Sequence, residues 1–414
     1  MRRALIFGAS LILAGAVAVA QETPIPLLTG PQDVGALTAT LNTLIRQINR
    51  GVTNATLGGM ASPLQFSAKC DVQQLEDNGA GTLIATGASG QKVVTFAGTS
   101  APTFGGGDIG KSATLSGAGA AGVVFTSTIT AVSGHTVTFA ANLSTSLSST
   151  KVAFSWGNLD DAPLASAITA LGSYGGTLYI PGNCGVAAPV ALPALTIQGF
   201  GSGGGGITIQ GSGTAPGRIV AMNAMSAVLL EADTYHKNAV LRSVAIDANG
   251  LANYGHYLRS GTGGSHAPDV VVQNALLAEI RLGDGTHQQQ NFMGYGQSLR
   301  KDKFVMSGVA GTYNVHISNG TDNVFVGTIA NGAGTANFRD ETGGGNSFVS
   351  THGWGLYDQV TATSTPPQYG YWLTGHGACT DCKQDEASVS CMLLSGFGVT
   401  VNGGQLQFVN TPLT

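Results

Sequence analysis

The stretch GTYNVHISNGTDNVFVGTIANG, Gly311 to Gly332, is followed 23 residues later by GTANFRDETGGGNSFVSTHGWG, Gly334 to Gly355. Aligned without a gap, Gly311/Gly334, Thr312/Thr335, Asn314/Asn337, Gly320/Gly343, Asn323/Asn346, Phe325/Phe348, Val326/Val349, Thr328/Thr351 and Gly332/Gly355 are identical. Each unit holds two or three short apolar-rich strands split by Gly, Asn and Asp, the length of one coil of a parallel β-helix. In such a solenoid each strand pairs with its equivalent one coil later, about 4.8 Å away. The identities then have a physical cause. Stacked Asn side chains ladder their amides at turns, stacked Phe and Val fill a continuous core, and Gly supplies positive φ at a shared corner. The spacing extends the ladder back to Asn291, 23 residues before Asn314.

The same alternation of strand and turn runs from Thr177 to the end with no long helical period. A chain with 62 Gly and 10% charged residues suits an all-β solenoid. Just upstream, NLDDAPLASAITALGSYGG predicts one helix, with Asp161 as N-cap, Pro163 in the first turn, and Leu164, Ala167, Ile168 and Leu171 along one face. Residues 93–157 alternate as half-buried strands, and Ser133-Gly134 turns one run into the next. The expected organisation is a signal peptide at 1–20, a linker and short helical stem at 21–92, a small β domain at 93–157 and a parallel β-helix at 158–414.

MRRALIFGASLILAGAVAVAQE has two Arg, a short apolar run and Ala18-Val19-Ala20 before Gln21, the pattern of a cleaved secretory signal peptide. A secreted or cell-surface protein is expected, with the periplasm as the alternative. No later segment is apolar enough to cross a bilayer, so no membrane insertion is expected. Val34, Leu37, Leu41, Leu44 and Ile48 form an a/d seam, which is either a helix packed on its own domain or a dimeric or trimeric stem. With net charge -4 and scattered Lys and Arg, the chain offers no basic stripe for nucleic acid.

Asp160-Asp161, Ala165-Ser166-Ala167-Ile168, Gly175-Gly176 and Leu178-Tyr179-Ile180-Pro181-Gly182 follow a recognisable order. The segment resembles the opening signature of the pectate lyase superfamily of right-handed parallel β-helices, which includes polygalacturonase-like and rhamnogalacturonase-like enzymes and phage tailspikes. Asn183-Cys184 depart from the residues that usually lead to an aromatic there. The preceding GGGDIGKSATLSGAG is similar to the small β domain that often comes before this signature. The resemblance implies a polysaccharide partner, but the superfamily holds lyases, hydrolases, epimerases and binding proteins on one scaffold. Three readings stay open: an exported protein that binds a polysaccharide, with cleavage as a lyase or glycoside hydrolase left open, a tailspike-like receptor-binding protein, and a non-catalytic surface solenoid.

Polygalacturonase-like enzymes carry Asn-Thr-Asp, Asp-Asp, Gly-His-Gly and Arg-x-Lys in order. This chain has Gly320-Thr321-Asp322, Asp340-Glu341 and Gly375-His376-Gly377, but no Arg follows Arg339. A lyase would call for calcium. Asp233, Asp247, Asp269 and Asp284 recur through the middle coils as turn formers without singling out a metal site. Strand alternation with Val315 and Ile317 inward puts His316 and Ser318 outward, and one coil later Arg339 and Glu341 take their places. The candidate catalytic residues are therefore Glu341, Asp322 and Asp340. Arg339, His316, Trp354, Tyr357 and Trp372 are the candidate substrate-binding residues, since Arg pairs with sugar carboxylates and aromatic rings stack on sugar faces. Of the five cysteines, one pair among Cys379, Cys382 and Cys391 is expected to form a disulfide.

Overall fold

The computed structural model describes residues 59–76, 81–171, 175–192, 206–212, 217–231, 239–301, 312–358, 363–396 and 398–406. The expected signal peptide and stem lie outside them, as does Asp233. Within the described residues the main body is a right-handed parallel β-helix. A nine-stranded sheet takes one strand from each successive coil, from Asn183–Val186 to Gln405–Leu406. Two further ladders run side by side and join into a 19-stranded sheet; one of them climbs through Ala252–Leu258, Ala278–Leu282, Tyr313–Ile317, Ala336–Val349, Tyr369–Thr380 and Ser390–Leu394.

The repeated residues stack. Phe325 pairs in register with Phe348, and their rings lie 5.5 Å apart. The backbone N–H and the Nδ2 of Asn323 both donate to Asn346 Oδ1, at 3.1 and 2.9 Å. Asn314 stands over Asn337 between the paired Tyr313/Ala336 and Val315/Phe338, and both amides are buried. The ladder does not extend to Asn291, however. Gln290 pairs with Thr321, so Asn291 stands over Asp322 at a positive-φ turn, and the residue before Asn314 in its column is Glu279. A fixed step of 23 fails there because insertions lengthen the coils, to 27 between Gln273 and Arg300 and 31 between Gln297 and Thr328.

The helix Asp161–Leu171 buries Leu164, Ala167, Ile168 and Leu171. Its first residue is Asp161, so the N-cap position belongs to Asp160, whose carbonyl accepts the Leu164 N–H. Neither carboxylate caps the helix. Buried Asp160 accepts the N–H groups of Lys69, Cys70 and Gly185, while Asp161 accepts those of Ala187 and Ala188. The pair thus joins the helix to the first coil.

The small domain is an eight-stranded antiparallel sheet around Phe96, Phe104, Phe125, Phe139, Phe154 and Trp156. It includes Gln73–Glu76 and Ile84–Gly87, so it starts well before residue 93, inside the stretch expected as linker. Four-residue strands are too short to show a period. Met60–Ala61 already pairs with Gly176–Ile180, which makes the small domain an insertion after the first β-helix strand. A Cys70–Cys184 disulfide fastens this junction. The expected local bridge is Cys379–Cys382; Cys391 is buried outside both disulfides.

Candidate functional site

The ladder containing Tyr313–Ile317 bends in the middle of each strand. Asn314 and Val315 are both buried, so Tyr313 and His316 both face outward, with ring centroids 4.7 Å apart. The same three-residue offset brings Tyr254 to 5.0 Å from Tyr257 and Tyr369 to 5.2 Å from Trp372. Two outward columns result. Tyr254, Ala278, Tyr313, Ala336 and Tyr369 are in register in one, and Tyr257, Arg281, His316, Arg339 and Trp372 in the other.

Contacts within these columns are dense. Arg281 lies over the rings of Tyr254 and Tyr257 at 5.0 and 5.6 Å, donates to the Tyr254 hydroxyl at 2.8 Å and to Ser318 Oγ at 3.2 Å. Arg339 lies 3.6 Å from the Trp372 ring centroid and donates to Thr374 Oγ1 at 3.2 Å. Its Nε also meets Glu341 Oε1 at 3.3 Å, and His316 Nε2 is 3.2 Å from the same oxygen. The His316 ring beside it, followed by the Arg339 guanidinium, holds the Glu341 carboxyl below its ordinary range despite partial burial. His316, Arg339, Glu341 and Trp372 therefore come together on one face.

The other candidates do not join them. Asp340 points inward and is fully buried, accepting from the Thr342 N–H and from Asn346 Nδ2, because neighbours on a strand face opposite ways. It cannot meet a sugar. Asp322 sits at a positive-φ turn, its carboxylate accepting from Thr321 Oγ1. Trp354 belongs to the nine-stranded sheet, paired with Asn331, and its ring packs against His352. The aromatic that reaches Arg339 is Trp372. Tyr357 lies on a separate two-stranded ribbon, paired with Ser364. Sequence reasoning missed Arg281, Tyr254, Tyr257 and Tyr313, which precede or cross the 23-residue repeat; the visible signal was the Tyr-x-x-aromatic spacing shared by 254/257, 313/316 and 369/372.

Asp247, Asp269 and Asp284 do not converge on a cation. Asp247 receives Gln273 Nε2, Asp269 the Ser243 N–H, and Asp284 Arg259 Nε. Among the described residues one cluster has the spacing of metal ligands, Cys70, Asp160 and Cys184, but its two sulfurs are joined to each other.

No protein-family model and no curated protein sequence matches this chain. Among solved structures, ORF18 of Geobacillus virus E2 is similar at 13% identity and a TM-score of 0.40, over 61% of this chain and 56% of that one. The chain thus spans little more than half the length of that protein. The Agl-KA catalytic domain is similar at 11% identity and a TM-score of 0.33, over 81% of this chain and 74% of that one. The tailspike gp61 of Pseudomonas phage phi297 is similar at 13% identity and a TM-score of 0.26, over 81% of this chain and 58% of that one. The fold is a parallel β-helix. Fold alone names no activity.

Proposed function

We propose that the outward face around Arg339 and Trp372 binds an acidic polysaccharide. The observation that carries this reading is the Arg339 guanidinium lying 3.6 Å over the Trp372 ring, in a column that also presents Arg281. A guanidinium stacked on an indole still donates through its N–H groups, and those of Arg339 not engaged by Glu341 and Thr374 can take a carboxylate, while neighbouring rings offer apolar faces to pyranose C–H groups. The signal-peptide reading places the glycan outside the cytoplasm, and the a/d seam supports a homotrimer. A tailspike-like protein would use the same face for a host surface glycan.

If the face also cleaves, its chemistry favours a lyase over a hydrolase. Hydrolysis uses a carboxylic acid of raised pKa opposite a second carboxylate. Glu341 is instead held ionised, and Asp340 is turned away. Elimination asks for a cation to neutralise the sugar carboxylate and a nearby base, which Arg339 with His316 and Glu341 supplies. A panel of acidic polysaccharides, read by calorimetry and by absorbance of unsaturated product with and without a calcium chelator, tests both levels. Arg339→Ala and Trp372→Ala should each weaken binding about tenfold, the value of one charge-assisted contact. The melting temperature should stay nearly unchanged. Binding that survives both substitutions places the site elsewhere.

A further inference from the structure

The outward face alternates from coil to coil, and the alternation is strict over five coils. Coils presenting Tyr254 with Tyr257, Tyr313 with His316, and Tyr369 with Trp372 each carry a pair of planar rings. The two coils between them carry Ala278 with Arg281 and Ala336 with Arg339. Resting on the proposed glycan-binding role of this face, we infer that it reads a polysaccharide with a disaccharide repeat, one neutral and one acidic sugar, lying along the solenoid axis.

The argument is one of matching periods. Adjacent coils are one strand spacing apart, so like pairs recur every ~9.6 Å. That is close to the length of an extended disaccharide and about twice that of a single sugar. A homopolymer would bring the same group to every second sugar position and leave the intervening residues facing the wrong chemistry. An alternating polymer brings its neutral sugars over the ring pairs and its carboxylates to Arg281 and Arg339. At Ala278 and Ala336, both fully buried, the ring column is interrupted by a methyl group, so the arginine is the group that each of these coils offers. Arg281 makes no ion pair with a carboxylate among the described residues, its bonds going to the Gly283 carbonyl, the Tyr254 hydroxyl, His316 Nδ1 and Ser318 Oγ. Arg339 is shared with Glu341, and His316 sits between the two arginines beside that carboxylate. The Glu341 side repels a sugar carboxylate, so the acidic group is directed to the Trp372 side of Arg339. Asp284 is the other acid near the column, and it is bound by Arg259 and His287.

The experiment uses full-length protein and three polymers matched in length: an alternating uronate–N-acetylhexosamine polymer, a homopolymeric uronate and a neutral homopolymer. The alternating polymer is expected to bind at least about tenfold tighter than the homouronate, because only it satisfies rings and arginines together. Ala336→Tyr, which puts a ring into an arginine coil, should remove that preference. Equal or tighter binding of the homouronate overturns the disaccharide reading and leaves acidic-glycan binding standing. Binding of neither acidic polymer, or preference for the neutral one, overturns the proposed function itself. Should Ala336→Tyr fail to fold, Tyr313→Ala serves instead. It should weaken the alternating polymer more than the homouronate, and equal loss on both counts against the inference.

Discussion

Asp340 and Glu341 are neighbours in sequence and opposite in role, which follows from the twofold period of a strand. Asp340 completes a buried network with Thr342 and Asn346, so Asp340→Ala leaves donors without an acceptor and should cost ~1–3 kcal/mol in denaturant unfolding. Glycan binding should persist in that variant. Glu341 is the group with a pH signature. Its folded-state pKa is depressed below 4.5, first by the His316 ring and then by Arg339, so folding favours its ionised form. The stability it contributes is complete above about 4.5 and is lost as pH falls through the lower folded-state value. The stability difference between wild type and Glu341→Gln should therefore be level at neutral pH and shrink in acid. A difference that stays flat across a pH series of urea midpoints would exclude the His316–Glu341–Arg339 arrangement. Sequence alternation from Val315 and Ile317 was enough to place His316, Arg339 and Glu341 outward. Asp340 was nominated because the motif order was read without that alternation.

At the level of the coil, the repeat was legible because stacking makes like residues adjacent, and Phe325/Phe348 and Asn323/Asn346 meet as their spacing requires. The corners were not legible. Gly296, Gly327, Ser350, Asp381 and Gly403 occupy one corner in successive coils, all at positive φ, although only three are glycine. A chain position just past such a corner changes sheet, and that is why Trp354, close to Arg339 in sequence, stands on another ladder. The second bend, between Asn314 and Val315, was equally hidden; it breaks the twofold period and brings the tyrosines of positions 254, 313 and 369 to the outer face. The Asn ladder offers a direct test of coil cohesion. Asn346 Oδ1 accepts two bonds from Asn323, and its Nδ2 donates to Gly320 O and Asp340 Oδ2. Asn346→Ala should lower the unfolding free energy by ~1–3 kcal/mol or more, since several buried groups lose partners together. A variant as stable as wild type would mean that the stacked aromatics alone hold these coils.

Across the whole of the described body, the insertion of the small domain after the first β-helix strand makes the two parts mechanically one. Gln74, on the small domain, donates to Asp247 of the β-helix at 2.8 Å and accepts from Arg218 at 2.7 Å, while Asn249 Nδ2 donates to Thr114 Oγ1 at 3.0 Å. Lys111 adds an ion pair with Asp71, one residue from the Cys70–Cys184 bridge. These bonds cross the junction that the disulfide closes, so Trp156 fluorescence, read with Trp354 and Trp372 replaced by Phe, and far-ultraviolet dichroism, which the β-helix dominates, should report a single unfolding transition. The two disulfides should differ sharply in value. Cys70 and Cys184 are 114 positions apart, and Cys379 and Cys382 only three. In the chain-entropy account a bridge stabilises by restricting the unfolded chain, more for longer loops, so losing the first should cost ~2–5 kcal/mol and losing the second much less. Replacing each pair with alanine separates the contributions. The Cys70→Ala, Cys184→Ala protein should unfold at a clearly lower denaturant concentration and split the two optical transitions, because its small domain is then held to the solenoid without the covalent closure, by the contacts around Asp247, Asp160 and Val72. Equal losses from both double variants would show that the bridges act through local packing and that the junction does not depend on the long loop being closed.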